Sequence, residues 1–294
     1  MRLIFALIAA ISFWLTPAYA GLLSFRDLLA RPQPQADHHI AYGDQPYQFG
    51  DLFLPKGIGR HDLVILIHGG CWLADLPGGE LTAFMAADLR DHGFAVWNID
   101  YRRLGHDGGG YPGTFQDTAR AVDYARQLAR DYPVNLDHVI ITGHSAGGHL
   151  AAWAALRPNL PASSPLKTND PLPIGKVISL AGIVDLTDYR ADKASSACDG
   201  PATIDRLIAG SALGMADTSP IEMIAAKPPQ VVISGALDPI VPPRIGTGYL
   251  AKAAQKNVQV KELVIPQSGH FELIDPQSAA WTPIRAEFLA PIAR

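Results

Sequence analysis

The stretch Val139-Ile140-Ile141-Thr142-Gly143-His144-Ser145-Ala146-Gly147-Gly148-His149-Leu150 decides how this chain is read. A short apolar, β-branched run ends in Gly-His-Ser-Ala-Gly-Gly, and an Ala-rich helical pattern follows at once. Strand, sharp turn and helix in that order are the context that a nucleophile elbow, G-x-S-x-G, requires. So tight a turn predicts a strained backbone at Ser145 and leaves no room for a side chain at Gly143 or Gly147. It lifts the serine hydroxyl clear of the sheet. It also aims the next backbone N–H groups, and the positive end of the helix, at any oxyanion formed there.

Outward from this turn the chain alternates between strand and helix. Leu63–Ile67, Phe94–Ile99, Lys176–Ala181, Gln230–Ser234 and Val258–Ile265 are apolar strand runs, and Tyr47–Pro55 reads as a partly exposed strand. Helical spacing appears over Glu80–His92, from about Phe115 to Tyr132, from the elbow through Leu156, and over Gln277–Leu289. Continuous apolar strands between helices predict a mostly parallel sheet with helices on both faces. With no interior linker or repeat, residues 21–294 read as a single domain, preceded by an arm over 21–46 without clear periodicity. Two interruptions stand out: a Pro-rich loop at 157–175, and an insertion at 183–226 that reads as a small cap beside the catalytic turn.

A serine hydroxyl needs a base to take its proton and a third group to orient that base. In doubly wound hydrolases these follow in the order Ser, Asp/Glu, His. Asp238 lies just past the strand Gln230–Ser234, and His270 just past Val258–Ile265 in the turn Gln267-Ser268-Gly269-His270. Carboxyl ends of parallel strands are where ligand chemistry gathers. Asp238 and His270 are therefore read as acid and base. Asp185 is the second choice for the acid, and Glu272 and Asp275 fall out of order after the histidine. Among ten histidines, His68, His144 and His149 also lie near the motifs but lack the strand-end and C-terminal context. The strand Leu63–Ile67 ends in His68-Gly69-Gly70-Cys71-Trp72, whose glycines let the backbone approach a substrate. The N–H groups of Gly70 and Cys71, with that of Ala146, are assigned as oxyanion-hole donors, and Trp72 is placed on the substrate pocket.

The segments 68–72, Asp100-Tyr101-Arg102, 143–148, 235–239 and 268–271 together resemble the recurring blocks of the α/β-hydrolases. The resemblance is to the esterase/lipase group with an H-G-G-x-W oxyanion loop, in particular arylformamidase-like and feruloyl-esterase-like carboxylesterases. It implies an eight-stranded, mostly parallel sheet and hydrolysis of esters or activated amides through an acyl-enzyme, with no cofactor. The preferred reading is a secreted serine hydrolase of small carboxylic esters. Two other readings stay open on the same residues: an amide hydrolase of arylformamidase or peptidase type, and a non-catalytic binding protein on this fold.

At 294 residues the chain can bury a large core. A net charge of −4 without a basic cluster gives no support to a nucleic-acid partner. No H-E-x-x-H, C-x-x-C or His/Cys cluster suggests a metal site. Arg2, the apolar run Leu3–Leu15 and Ala18-Tyr19-Ala20 have the layout of a secretory signal, so residues 1–20 are expected to be removed, with no stable membrane insertion. The mature chain is then expected in the periplasm or outside the cell. Cys71 and Cys198 form an even pair, and the sequence leaves a disulfide and two separate thiols equally open. Oligomeric state is not readable.

Overall fold

The computed structural model describes residues 21–292; the expected signal segment, 1–20, lies outside them. Helix α1 (Phe25–Leu29) and edge strand β1 (His38–Ala41) come first. Strands β2 (Phe49–Phe53) and β3 (His61–Ile67) follow, then α2 (Ala83–Asp91) and β4 (Ala95–Ile99). Helices α3 (Gly113–Asp123) and α4 (Ala125–Asp131) lead to β5 (Val134–His144), α5 (Ala146–Leu156) and β6 (Lys176–Leu180). After α6 (Leu186–Ala191) and α7 (Pro201–Ile208) come β7 (Gln230–Gly235), α8 (Pro243–Gln255), β8 (Val260–Ile265) and α9 (Trp281–Leu289).

The eight strands form one sheet in the order β1-β2-β4-β3-β5-β6-β7-β8. Only the β1–β2 and β2–β4 pairs are antiparallel; the other five are parallel. Every residue of β4, β6 and β7 is buried. Since alternate side chains point to opposite faces, both faces of the sheet are covered. The edges differ: β1 is largely exposed and β8 only half-buried.

Register places the site. Ile67 pairs with Gly143, so the 68–72 loop leaves β3 directly beside the turn that leaves β5. His144 pairs with Leu180, Leu180 with Ile233, and Gly235 with Ile265, which aligns the carboxyl ends of β5, β6, β7 and β8 along one rim. The chain crosses from β4 on one side of β3 to β5 on the other, and such a reversal opens a crevice at the strands' carboxyl ends.

Several elements differ from expectation. The 21–46 arm contains α1 and β1, which short, aperiodic stretches do not announce. Tyr124 divides the expected 115–132 helix in two. Helix α8, opened by Pro243 at its first position, fills the crossover between β7 and β8. The polar stretch 185–200 is helical too: Asp185 caps α6 by accepting from Asp188 N–H at 2.9 Å, and Asp192 caps a 3₁₀ segment over Lys193–Cys198.

Candidate active site

Ser145 sits at φ 56°, ψ −121°, a conformation that side chains rarely adopt and that costs about 1–3 kcal/mol. The surroundings hold it there. Ser145 N–H donates to Leu180 O at 2.9 Å, and the peptide leads straight into α5, where His149 N–H donates to Ser145 O. A Cβ at Gly143 would lie 2.2 Å from Gly147 O, and one at Gly147 would lie 2.1 Å from Ile67 O. Glycine is the sole residue that fits either place.

Asp238 and His270 meet. His270 Nδ1 lies 2.6 Å from Asp238 Oδ2, with both side chains buried. The other carboxylate oxygen, Oδ1, accepts the N–H groups of Ile240 (2.8 Å) and Val241 (2.9 Å). That fixes which oxygen faces the imidazole. The rival carboxylates are committed elsewhere: Asp185 to the cap of α6, Glu272 to the N–H groups of Leu23 and Gly269, and Asp275 to Arg31.

The 68–72 loop turns through two left-handed residues after Gly70 (φ 98°): Cys71 at φ 52° and Trp72 at φ 58°. Among the described residues, no protein acceptor engages the N–H groups of Gly70, Cys71 or Ala146. Ala146 opens α5, whose first-turn N–H groups have no intrahelical partner and carry the positive end of the helix dipole. Beneath the loop, His68 faces Gly69 O at 2.7 Å and Asp100 Oδ1 at 3.2 Å, and stacks on Tyr101 with ring centroids 4.7 Å apart. Burial alone would raise the Asp100 pKa, but His68, Arg103 and the Tyr101 N–H together hold it below its ordinary value. This polar base under the loop has no sequence signal beyond the Asp-Tyr-Arg block.

Trp72 is a correction. Rather than lining the pocket, it is fully buried, because two successive positive φ angles turn the ring inward. Its Nε1–H donates to His149 Nδ1 at 3.2 Å, and His149 Nε2–H donates to Thr218 O at 2.8 Å. Trp72 thus ties the 68–72 loop to α5 and to the end of the insertion. The cysteine question is also resolved: Cys71 and Cys198 form a disulfide across 127 residues, joining the loop to the insertion.

Ser145 and His270 open on one cleft of about 150 Å³, small beside typical ligand sites. Gly70, Cys71 and His144 border it, and its remaining wall is mostly apolar: Leu76, Pro77, Leu81 and Ile240, with Phe25 and Phe271. From the 183–226 insertion, only Ala197 reaches the lining. Phe25, from the N-terminal arm, carried no sequence signal at all.

Two buried histidines flank the constellation. His144 Nε2–H donates to His270 O at 3.1 Å, while its Nδ1 is buried without a partner. Burial, and then the nearby His270, push the His144 pKa well below its ordinary 6.5, so it stays neutral. Burial lowers His149 to about 4. Between pH 6.5 and 4 the unfolded chain therefore binds more protons at this position than the folded one. The stability contributed by neutral His149 is full above pH 6.5 and is lost as pH falls toward 4, by about 3 kcal/mol in all. Replacing His149 with Gln should shrink the acid-induced loss of stability by that order, as read from urea unfolding at pH 7, 5.5 and 4.5. Parallel stability curves for the two proteins would contradict the assignment.

The BD-FAE family model matches residues 51–252, a span that holds Ser145 and Asp238 and ends before His270. Esterase LipC of Mycobacterium tuberculosis is 27% identical over 268 residues, covering 88% of this chain and 64% of that protein. The probable carboxylic ester hydrolase LipM of the same organism is 28% identical over 243 residues, covering 80% of this chain and 55% of that protein. The chain thus spans a little over half the length of these curated relatives. Esterase B from Lactobacillus rhamnosis, a solved structure 20% identical, shares the fold with a TM-score of 0.75, over 90% of this chain and 88% of that one.

Proposed function

Since this chain belongs to the BD-FAE family of α/β-hydrolase esterases, we propose that it is a serine carboxylic-ester hydrolase that cleaves small esters through an acyl-enzyme. The observation that carries the reading is that His270, 2.6 Å from Asp238, opens on the same small cleft as the strained Ser145. His270 Nε2 takes the Ser145 proton as Oγ attacks the ester carbonyl. Negative charge collects on the carbonyl oxygen, where the N–H groups of Gly70, Cys71 and Ala146 receive it. Asp238 keeps the imidazole proton on Nδ1 and stabilises the imidazolium. The proton taken from Ser145, held on His270 Nε2, then passes to the leaving alkoxide and frees the alcohol. Water, deprotonated by His270 in its turn, attacks the acyl-enzyme and releases the acid. Neutral His144, 4.3 Å from His270 between ring centroids, adds no opposing charge when the imidazolium forms.

Export is part of the proposal. The layout of residues 1–20 supports it, and so does a disulfide, a bond that persists in oxidising compartments. Among the described residues no helix is long and apolar enough to cross a membrane.

The test is hydrolysis of p-nitrophenyl esters with acyl chains of two to twelve carbons, alongside a formanilide. Turnover concentrated at short chains is expected from so small a cleft. A formanilide cleaved faster than every ester would replace the ester reading with the amide one, and no turnover of either, with no labelling of Ser145 by a fluorophosphonate, would leave a binding protein.

A further inference from the structure

The loop that carries His270 is held from outside the sheet by the N-terminal arm. Leu23 N–H donates to Glu272 Oε1 at 2.6 Å, and Gly269 N–H donates to Glu272 Oε2 at 3.0 Å. One carboxylate thus joins the arm to the residue before the base. Leu22 packs over the same place: a Cβ at Gly269 would lie 3.0 Å from Leu22 Cδ1. Further along, Arg31 donates from both terminal nitrogens to Asp275 Oδ1 at 3.0 Å and lies over the Phe84 ring at 4.3 Å. Between these anchors runs α1, closed at its start by a Ser24/Asp27 capping box and pinned by the fully buried Leu28.

This fastening puts Phe25 over the cleft. Its ring lies 6.1 Å from that of Phe271, and the two share the lining with Leu76, Pro77, Leu81 and Ile240. The arm therefore adds an aromatic wall to a cleft whose other walls belong to the sheet's carboxyl rim. We infer that Phe25 is a specificity-determining residue, which closes the apolar end of the cleft and limits the length of the aliphatic group an ester can place there. Glu272 is the positioning residue that holds arm and base loop together. The inference rests on the ester-hydrolase reading.

The reason for a length limit is the chemistry of the wall. Along this stretch the cleft offers rings and alkyl groups, so each methylene it admits is bound by burial, and each one it cannot admit is rejected by overlap. A single methylene in such a pocket changes kcat/KM about tenfold or more. Truncating Phe25 opens room for several carbons beside Phe271; enlarging it removes room.

The experiment compares the full chain with its Phe25→Ala, Phe25→Leu and Phe25→Trp variants. Two series are used: p-nitrophenyl esters of two to twelve acyl carbons, and acetates of alcohols of rising length. In one of the series, the ratio of kcat/KM for the eight-carbon to the two-carbon member should rise at least tenfold in Phe25→Ala. It should rise less in Phe25→Leu and fall in Phe25→Trp. A merely structural role for Phe25 lowers all members together and leaves the ratio where it was. Should Phe25→Ala fail to fold, the Leu and Trp variants carry the same comparison. Ratios unchanged in both series for an active wild type overturn the inference and leave the ester reading standing; a wild type that cleaves no ester removes both.

Discussion

Ser145→Ala should lower kcat on a p-nitrophenyl ester by about 10⁴- to 10⁶-fold, with KM little changed. The size follows from what the hydroxyl does and from what remains without it. Ala146 N–H and the loop N–H groups of Gly70 and Cys71 belong to the backbone, so the variant still binds substrate and still polarises its carbonyl. What it loses is the covalent route. Alanine also tolerates φ 56° no better and no worse than serine, and the Ser145 N–H bond to Leu180 O is unaffected, so stability should stay within about 0.5 kcal/mol. Steady-state kinetics, paired with urea unfolding, separate lost chemistry from lost structure. Retention of more than a tenth of wild-type turnover would show that Ser145 is not the nucleophile.

Asp238→Asn should cost about 10⁴ in kcat, although only one atom changes its element. The structure says why the amide cannot compensate. Ile240 and Val241 both donate to Oδ1, so an asparagine must keep its oxygen there. Its NH₂ then faces His270 Nδ1, which has to accept rather than donate. The imidazole proton is driven to Nε2, the nitrogen that should receive the proton of Ser145. The site stays assembled with its base in the wrong tautomer. Asp185→Asn is the matched control: asparagine caps α6 as well as aspartate does, and turnover should stay within about twofold. A larger loss at Asp185 than at Asp238 would reverse their order.

The residues in these contrasts were nominated from sequence alone. Ser145 sits in a turn specified by its immediate neighbours, and Asp238 and His270 each follow a strand whose apolar run is plain, so chain order and strand ends suffice to nominate them. The sheet was legible for the same reason: β4, β6 and β7 are buried throughout, as are the carboxyl-terminal parts of β3 and β5, and these stretches read as mostly apolar runs. Phe25 could not be found this way. It lies in a five-residue helix with too few turns for a periodicity, and its role depends on Glu272 and Phe271, almost 250 positions away. Trp72 failed differently. Adjacency to the glycines of the oxyanion loop suggested the pocket, but backbone dihedrals at Cys71 and Trp72 aim the side chain, and residue types two places earlier do not encode that direction. Strand β1 was missed because an exposed edge strand shows no apolar alternation.

The Cys71–Cys198 bridge also changes what a cut in the chain means. It closes a ring of residues 71–198 that contains β4, β5, the elbow, α5 and β6. The exposed Pro-rich stretch near 161–171 lies inside that ring. A protease that clips there opens the ring but frees nothing: the half that carries Ser145 remains tethered through sulfur to the half that carries Asp238 and His270. A single scission beyond Cys198, between 199 and 237, separates those halves covalently. Wherever the chain meets a protease, the position of one sulfur bond decides which cuts leave it in one piece.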